Sequence, residues 1–150
     1  MKRSPGHAVL SKLQDLMTLL DEVKTIAVVG LSEKPERDSH SVCAYLQRQG
    51  YRIVGVNPAA TEILGEPCFP SLSAIPEELR REIDMVAVFR RPEDAIAVLD
   101  ETASLGIRKA WLVPGASSAE AIEAAAGHGL TIVADRCLRT VHAAARRGIS

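Results

Sequence analysis

The sequence of 150 residues is poor in aromatic side chains and cysteine, and it has no long apolar run. One Trp, two Tyr and two Phe are too few for the aromatic platforms on which many nucleic-acid-binding sheets stack bases. Its three cysteines form no Cys-x-x-Cys pair, which argues against a disulfide framework or a zinc site and favours a reducing compartment. No apolar stretch approaches the roughly 20 residues of a membrane span. With a net charge of −1 as well, we predict a cytoplasmic protein with no nucleic-acid or membrane partner.

What the sequence does contain is a regular alternation of apolar runs and helical patterns. Five strands are predicted, over residues 25–30, 51–56, 83–89, 108–113 and 130–134, with helices between them. The pattern predicts an α/β fold, a doubly wound sheet of about five parallel strands with flanking helices. Val9, Leu13 and Leu16 recur at helical spacing, so residues 1–24 are predicted to form an extra amphipathic helix packed on a single domain of residues 25–150. Residues 59–82 are predicted to be a long loop with one short helix.

The segments that follow the predicted strands are the candidate site, because ligands of such sheets bind beyond the carboxyl ends of the strands. These segments are Gly30-Leu31-Ser32, Asn57-Pro58, Phe89-Arg90-Arg91-Pro92, Val113-Pro114-Gly115 and Asp135-Arg136-Cys137. The first is a glycine turn leading to a helix that opens near Ser39, an arrangement that brings backbone N–H groups close to an anion. The sequence therefore predicts a phosphate-binding corner after the first strand.

Four basic residues surround this corner, although the chain as a whole is slightly acidic. Lys34 and Arg37 lie in the first loop, and Arg90 and Arg91 follow the third strand. Each could be solvated surface, but as a group at strand ends they favour contacts with phosphates. A dinucleotide is disfavoured, because the Gly-x-Gly-x-x-Gly pattern and an acidic end to the second strand are both missing.

The order and spacing of many short motifs resemble the small stand-alone coenzyme A-binding proteins, relatives of the N-terminal domain of the succinyl-CoA synthetase α subunit. The matching residues lie between Ile26 and His142. They are Val29-Gly30-Leu31-Ser32, Lys34-Pro35, Arg37, Ser39, Tyr45-Leu46, Gly50-Tyr51, Val56-Asn57-Pro58, Leu64-Gly65, Ser71-Leu72, Ile75-Pro76, Val88-Phe89-Arg90-Arg91-Pro92-Glu93, Trp111-Leu112 and Asp135-Arg136-Cys137. The resemblance implies a Rossmann-like domain that holds coenzyme A or an acyl-CoA across the strand ends.

The resemblance also implies roles for individual residues. Gly30, Leu31, Ser32 and the helix opening at Ser39 would hold phosphate groups, Asn57 and Pro58 would line the adenosine side, and Lys34, Arg37, Arg90 or Arg91 would meet the 3′-phosphate or the diphosphate. Phe89 and Pro92 would provide an apolar wall, and Pro114-Gly115 would border the pantetheine arm. Apart from the resemblance, the position of His40 near the start of that helix allows either a phosphate contact or a capping or surface role. The chain departs from the family pattern after Trp111-Leu112, where Val113-Pro114-Gly115 replaces a Gln, an apolar residue and Gly. The missing amide removes a possible polar contact at the centre of the site.

No catalytic or metal-binding constellation is evident in the sequence. No histidine stands at motif spacing from a nucleophile and a carboxylate, and metal-ligand clusters are absent. Cys137 follows the fifth strand, where it is either a small buried filler or a reactive thiol beside the ligand. We therefore predict a non-catalytic carrier, sensor or regulatory module for coenzyme A. The alternatives are an NAD(P)-dependent oxidoreductase and a protein-interaction module that has lost its ligand, with a homodimer or an unidentified protein as possible partners.

Overall fold

A computed structural model of the protein describes residues 8–148. Its strands are β1 (Ala8–Val9), β2 (Thr25–Val29), β3 (Arg52–Val56), β4 (Glu62–Ile63), β5 (Glu66–Phe69), β6 (Met85–Val88), β7 (Lys109–Leu112) and β8 (Thr131–Ala134). Its helices are α1 (Leu13–Glu22), α2 (Asp38–Arg48), α3 (Glu77–Arg80), α4 (Pro92–Ser104), α5 (Ala119–Gly127) and α6 (Leu138–Arg146). None of the helices in residues 8–148 is long and apolar enough to cross a membrane.

The strands form one sheet in the order β1-β8-β7-β6-β2-β3-β5-β4. Every neighbouring pair is parallel except β4 and β5, which are antiparallel. All residues of β2 and β6 are buried, as expected for central strands that helices cover on both faces. The predicted α/β fold, a doubly wound Rossmann-like sheet with flanking helices, is confirmed.

The chain reverses its direction of travel across the sheet between β2 and β6. From β2 it moves to β3 on one side, and it later returns to β6 on the other side and continues to β7 and β8. Such a reversal opens a crevice above the carboxyl ends of the two central strands. Gly30 and Phe89 directly follow the two strands that flank this point. Both are among the site residues predicted from the sequence.

The segment between β3 and α3 corrects the prediction of a long loop over residues 59–82. It forms a hairpin, with positive φ at both Leu64 and Gly65 of its two-residue turn. Its second strand, β5, adds to the sheet in parallel with β3. This strand is short and contains Pro67, which is tolerated near a sheet edge but hides the pattern by which a strand is recognised.

Two corrections concern the ends of other elements. Val9 belongs to β1, which pairs with β8, and not to the predicted helix; 45% of it is exposed. The described N-terminal helix, α1, begins at Leu13 and packs against α6, and residues 1–7 of the predicted segment lie outside the described residues. Ser118 is the N-cap of α5, and its Oγ accepts a hydrogen bond from the Ala121 N–H.

Candidate functional site

A cavity of about 670 Å³ opens where β2, β6 and β7 end. Ten of the residues named from the sequence line it: Gly30, Ser32, Lys34, Arg37, Ser39, Phe89, Arg90, Arg91, Pro114 and Gly115. Three further residues line it: Val113, which belongs to a named strand-end segment but was given no ligand contact, and Glu36 and Asp38, which were not named. We call this the main cavity. The strand order explains its position, because it lies over the crevice between the central strands β2 and β6.

The loop between β2 and α2 is organised by two serine side chains. The Oγ atom of Ser39 accepts a hydrogen bond from the Ser32 N–H at 2.9 Å, and the Oγ atom of Ser32 accepts one from the Lys34 N–H at 3.0 Å. Ser39 is buried, so this contact fixes the loop against the first turn of α2. Arg37, the N-cap residue, makes no side-chain cap. The His40 N–H already donates to the Arg37 carbonyl at 3.1 Å, so the N–H groups of Asp38 and Ser39 at the start of α2 are the ones that an anion in the main cavity can engage.

The charges that line the main cavity are mixed, with four basic side chains and two acidic ones, Glu36 and Asp38. Arg90 and Arg91 form ion pairs with Asp94 in the first turn of α4, at 3.5 and 3.6 Å. Exposed pairs of this kind contribute little to stability and exchange readily for a stronger anion. Within residues 8–148, Lys34 and Arg37 have no carboxylate at ion-pair distance. The four basic and two acidic lining side chains give a net formal charge of +2, which the Asp94 and Glu93 carboxylates offset until a ligand displaces them from the arginines.

Four of the named residues lie outside the lining of the main cavity. Leu31 is fully buried in the core. Asn57 connects the ends of β2 and β3: its Nδ2 donates to the Leu31 carbonyl at 2.9 Å, and its Oδ1 accepts from the Ala59 N–H at 2.7 Å. Pro58 is exposed at the end of β3, and His40 is half-buried on α2. Contacts of these residues with the adenosine or a phosphate stay predictions.

Cys137 lines a second cavity of about 180 Å³, which we call the side cavity. The side cavity shares Asp38, Phe89, Val113 and Pro114 with the main cavity, and its other lining residues are Val42, Leu138 and Arg139. Burial raises the pKa of the Cys137 thiol, but hydrogen bonds from Thr140 and Arg139 together with the Arg139 charge outweigh burial, and the net shift is downward. A lower pKa makes the thiolate more abundant at neutral pH.

Sequence reasoning missed most of the side cavity because its walls come from three distant segments. Val42 is on α2, Val113 follows β7 and Leu138 begins α6. Each was recognisable as an apolar core position, but no local spacing shows that α2 and α6 leave a gap between them. Glu36 and Asp38 were recognisable in principle, since both fall in the polar loop that the sequence places beside the phosphates.

The histidines within residues 8–148 lie outside the linings of the main cavity and the side cavity. His142 accepts or donates a hydrogen bond with the Tyr45 hydroxyl at 2.8 Å, and His128 pairs with Asp100 at 2.7 Å. Neither lines the main or the side cavity. Within residues 8–148, no three His, Cys, Asp or Glu side chains are grouped as metal ligands. The backbone N–H groups and basic side chains at the main cavity suit the binding of an anion.

Comparison with known proteins identifies related chains. The sequence model of the family described as "CoA binding domain" matches residues 24–143. The chain is 36% identical over 129 residues to the uncharacterized protein YneT of Bacillus subtilis, covering 86% of this chain and 93% of that protein. It is 27% identical over 130 residues to acetate–CoA ligase [ADP-forming] I of Archaeoglobus fulgidus, of which it spans only 18%.

Solved structures agree in fold over most of the chain. A hypothetical protein from Pyrococcus horikoshii superposes with a TM-score of 0.82 at 33% identity, covering 95% of this chain and 97% of that one. A protein from Thermus thermophilus superposes with a TM-score of 0.81 at 36% identity, covering 90% of this chain and 99% of that one. These relatives have about the same extent as the described domain.

Proposed function

Because this chain belongs to the CoA-binding domain family, we propose that it binds coenzyme A or an acyl-CoA in the main cavity, as a non-catalytic carrier, sensor or regulatory module. The observation that carries the proposal is the position of the main cavity, beside the uncapped N-terminus of α2 and among four basic side chains. Coenzyme A has a diphosphate and a 3′-phosphate, which are the groups that such a lining binds best.

In the proposed placement, each phosphate group of the ligand lies beside basic side chains of the protein. The diphosphate accepts hydrogen bonds from the first turn of α2, with Lys34 and Arg37 beside it. Arg90 and Arg91 leave Asp94 to meet the 3′-phosphate. Pro114 and Gly115 border the pantetheine arm as it leaves the phosphates. Asn57 stands at the adenosine side, where it holds the ends of β2 and β3 together.

We propose a non-catalytic role, and the names of the related proteins assign no reaction to this chain. The ligase relative is named for an activity of a much longer protein, of which this chain spans 18%. The relatives of similar extent carry no named reaction. The free cysteines fit a reducing compartment such as the cytoplasm. We propose that the protein with its ligand bound acts through a partner protein or through a second copy of the chain.

Isothermal titration of the purified chain tests the proposal, with coenzyme A, 3′-dephospho-coenzyme A and NAD+ as ligands. We expect coenzyme A to bind, NAD+ to give no heat, and dephospho-coenzyme A to bind more weakly because the 3′-phosphate is missing. The Arg37→Ala variant should weaken coenzyme A about tenfold or more, since a charged hydrogen bond contributes about 1.5–3 kcal/mol. Arg81→Ala is the matched control, because Arg81 is exposed and pairs with Glu77 outside the main cavity.

Other outcomes point to the alternatives. NAD+ binding as tight as that of coenzyme A would favour an oxidoreductase, which a fluorescence titration with NADH would then examine. Silence with every ligand would contradict the proposal and favour a protein-interaction module, for which a partner would be sought.

A further inference from the structure

The side cavity adjoins the main cavity, and four residues belong to the walls of both. A ligand seated in the main cavity can therefore extend into the side cavity past Phe89, Val113 and Pro114. On the proposed placement, the part of coenzyme A that leaves the phosphates in this direction is the pantetheine arm. The side cavity is thus positioned to receive the far end of that arm, which carries either a thiol or a thioester.

The lining of the side cavity is mostly apolar and well fixed. Val42 and Leu138 are almost fully buried, and Val113 is 8% exposed. The wall formed by Cys137 and Leu138 is held by the buried Trp111, whose indole N–H donates to the Arg136 carbonyl at 2.7 Å. Such a surface favours a hydrocarbon group over water, in proportion to the apolar area that is covered.

Two charged residues line the remaining wall. Arg139 is exposed, and its guanidinium lies 3.5 Å from the Ser41 Oγ. Asp38 stands at the junction with the main cavity, since it lines both. The Asp38 carboxylate and the Arg139 guanidinium offset each other, so the lining carries no net charge. The apolar remainder favours an uncharged acyl group over one with a carboxylate, which would lose its hydration there.

The volume of the side cavity limits the length of its occupant. At about 30 Å³ for each water in the liquid, 180 Å³ corresponds to about six water molecules. A thioester with a short acyl group fills such a space, whereas a fatty acyl chain exceeds it. On the basis of the proposed coenzyme A site, we propose that the side cavity binds the acyl group of short, uncharged acyl-CoA thioesters, and that the protein prefers these to free coenzyme A.

Titration of the full chain with coenzyme A, acetyl-CoA, butyryl-CoA, dodecanoyl-CoA and succinyl-CoA tests the preference. Each methylene that becomes buried should lower the Kd about fourfold, so butyryl-CoA, with two more methylenes, should bind about fifteenfold tighter than acetyl-CoA. Dodecanoyl-CoA and succinyl-CoA should bind more weakly than butyryl-CoA. Equal affinities for coenzyme A and butyryl-CoA, or tightest binding of the dodecanoyl or succinyl thioester, would overturn the inference. Absence of coenzyme A binding would instead overturn the proposed function.

Variants at Val42 test whether the size of the side cavity determines which acyl group the protein prefers. Val42→Ala enlarges it and should shift the preferred acyl group to a longer chain, whereas Val42→Leu reduces it and should shift the preference to a shorter one. Val141→Ala is the matched control, because Val141 is equally buried but does not line the side cavity. Affinity ratios of each thioester to coenzyme A are compared within one variant, so a general weakening of binding cancels. Unchanged ratios in both folded Val42 variants would contradict the assignment.

Discussion

The backbone of Gly30 passes so close to Phe89 that a Cβ atom on residue 30 would stand 2.2 Å from the Phe89 carbonyl oxygen. Gly30 also has a φ of 93°, in the left-handed region that side chains disfavour. The two residues directly follow β2 and β6, the strands between which the sheet reverses its order. Glycine is therefore required at this position for two reasons. The turn needs a positive φ, and the close contact with Phe89 beneath the main cavity leaves no room for a Cβ atom.

Replacing Gly30 with Ala should lower the free energy of unfolding and weaken coenzyme A together. The left-handed conformation costs about 1–2 kcal/mol, and the contact with the Phe89 carbonyl adds about 2 kcal/mol or more. Urea unfolding measures the first effect and titration the second. Gly106→Ala is the control, because Gly106 has a φ of 82° but nothing within 4 Å of its Cβ position. Equal losses in the two variants would show that the Phe89 contact relaxes without cost.

Asp94 should compete with the ligand for Arg90 and Arg91. Its carboxylate lies 3.5 and 3.6 Å from their guanidinium groups, and both pairs are exposed. The Asp94→Asn variant should therefore bind coenzyme A about two- to fivefold tighter, in line with the small energies of exposed ion pairs. The gain should shrink at high salt. Titrations at two ionic strengths measure both effects.

Glu77→Gln provides the control for Asp94→Asn, since Glu77 pairs with Arg81 at 3.2 Å outside the main cavity. Its affinity for coenzyme A should match that of the unchanged protein. Weaker binding by Asp94→Asn would show the opposite of competition, namely that Asp94 orients the two arginines for the ligand.

The fold and the basic lining of the main cavity could be predicted because both depend on features that recur locally. Apolar runs that end at glycine or proline mark buried parallel strands, and the carboxyl ends of such strands meet at one edge of the sheet. Lys34, Arg37, Arg90 and Arg91 were therefore expected at the same edge of the sheet once the strands were recognised. The confirmed alternation of strands and helices placed them around one cavity.

The features that were missed depend on contacts between distant segments or on very short elements. β5 has four residues, one of them Pro67, so no alternation shows it as a strand. The side cavity is a gap between α2, β7 and α6, and its volume depends on how these elements pack. The hydrogen bond from the Asn57 Nδ2 to the Leu31 carbonyl likewise joins the ends of two strands, so no local pattern shows it.

His142 should make the stability of the protein depend on pH. Burial lowers its pKa and Arg146 lowers it further, whereas Asp21 raises it, and the net pKa lies below 6.5. As the pH falls through 6.5, the unfolded chain therefore takes up a proton that the folded chain resists. The free energy of unfolding should decrease over this interval and level off below the native pKa.

The His142→Leu variant tests this dependence through urea unfolding between pH 5 and pH 8. It should lose about 1 kcal/mol at pH 8, because the hydrogen bond to the Tyr45 hydroxyl is removed, and its stability should fall less steeply below pH 6.5. His128→Gln, at an exposed histidine paired with Asp100, should keep the His142 contribution. Parallel curves for the unchanged protein and His142→Leu would contradict the assignment.

Cys137 should be the most reactive of the three cysteines in the folded protein. Its pKa lies below the ordinary value of 9.0 through hydrogen bonds from Thr140 and Arg139 and the charge of Arg139, which outweigh burial. Burial raises the pKa of Cys43 to about 12 and also raises that of Cys68, and both side chains are buried. Since the thiolate is the nucleophile, iodoacetamide should modify Cys137 first, with half of the maximal rate reached below pH 9.0.

Mass spectrometry of timed samples across a pH series gives the alkylation rate at each cysteine. Arg139→Gln should raise the midpoint for Cys137, whereas Arg108→Gln, whose guanidinium bonds to the carbonyls of His128 and Gly129, should leave it unchanged. A midpoint at or above pH 9.0, or equal rates at Cys137 and Cys68, would contradict the assigned environment. If the side cavity holds the acyl group, saturating butyryl-CoA should also slow the reaction at Cys137, because the ligand then covers the thiol.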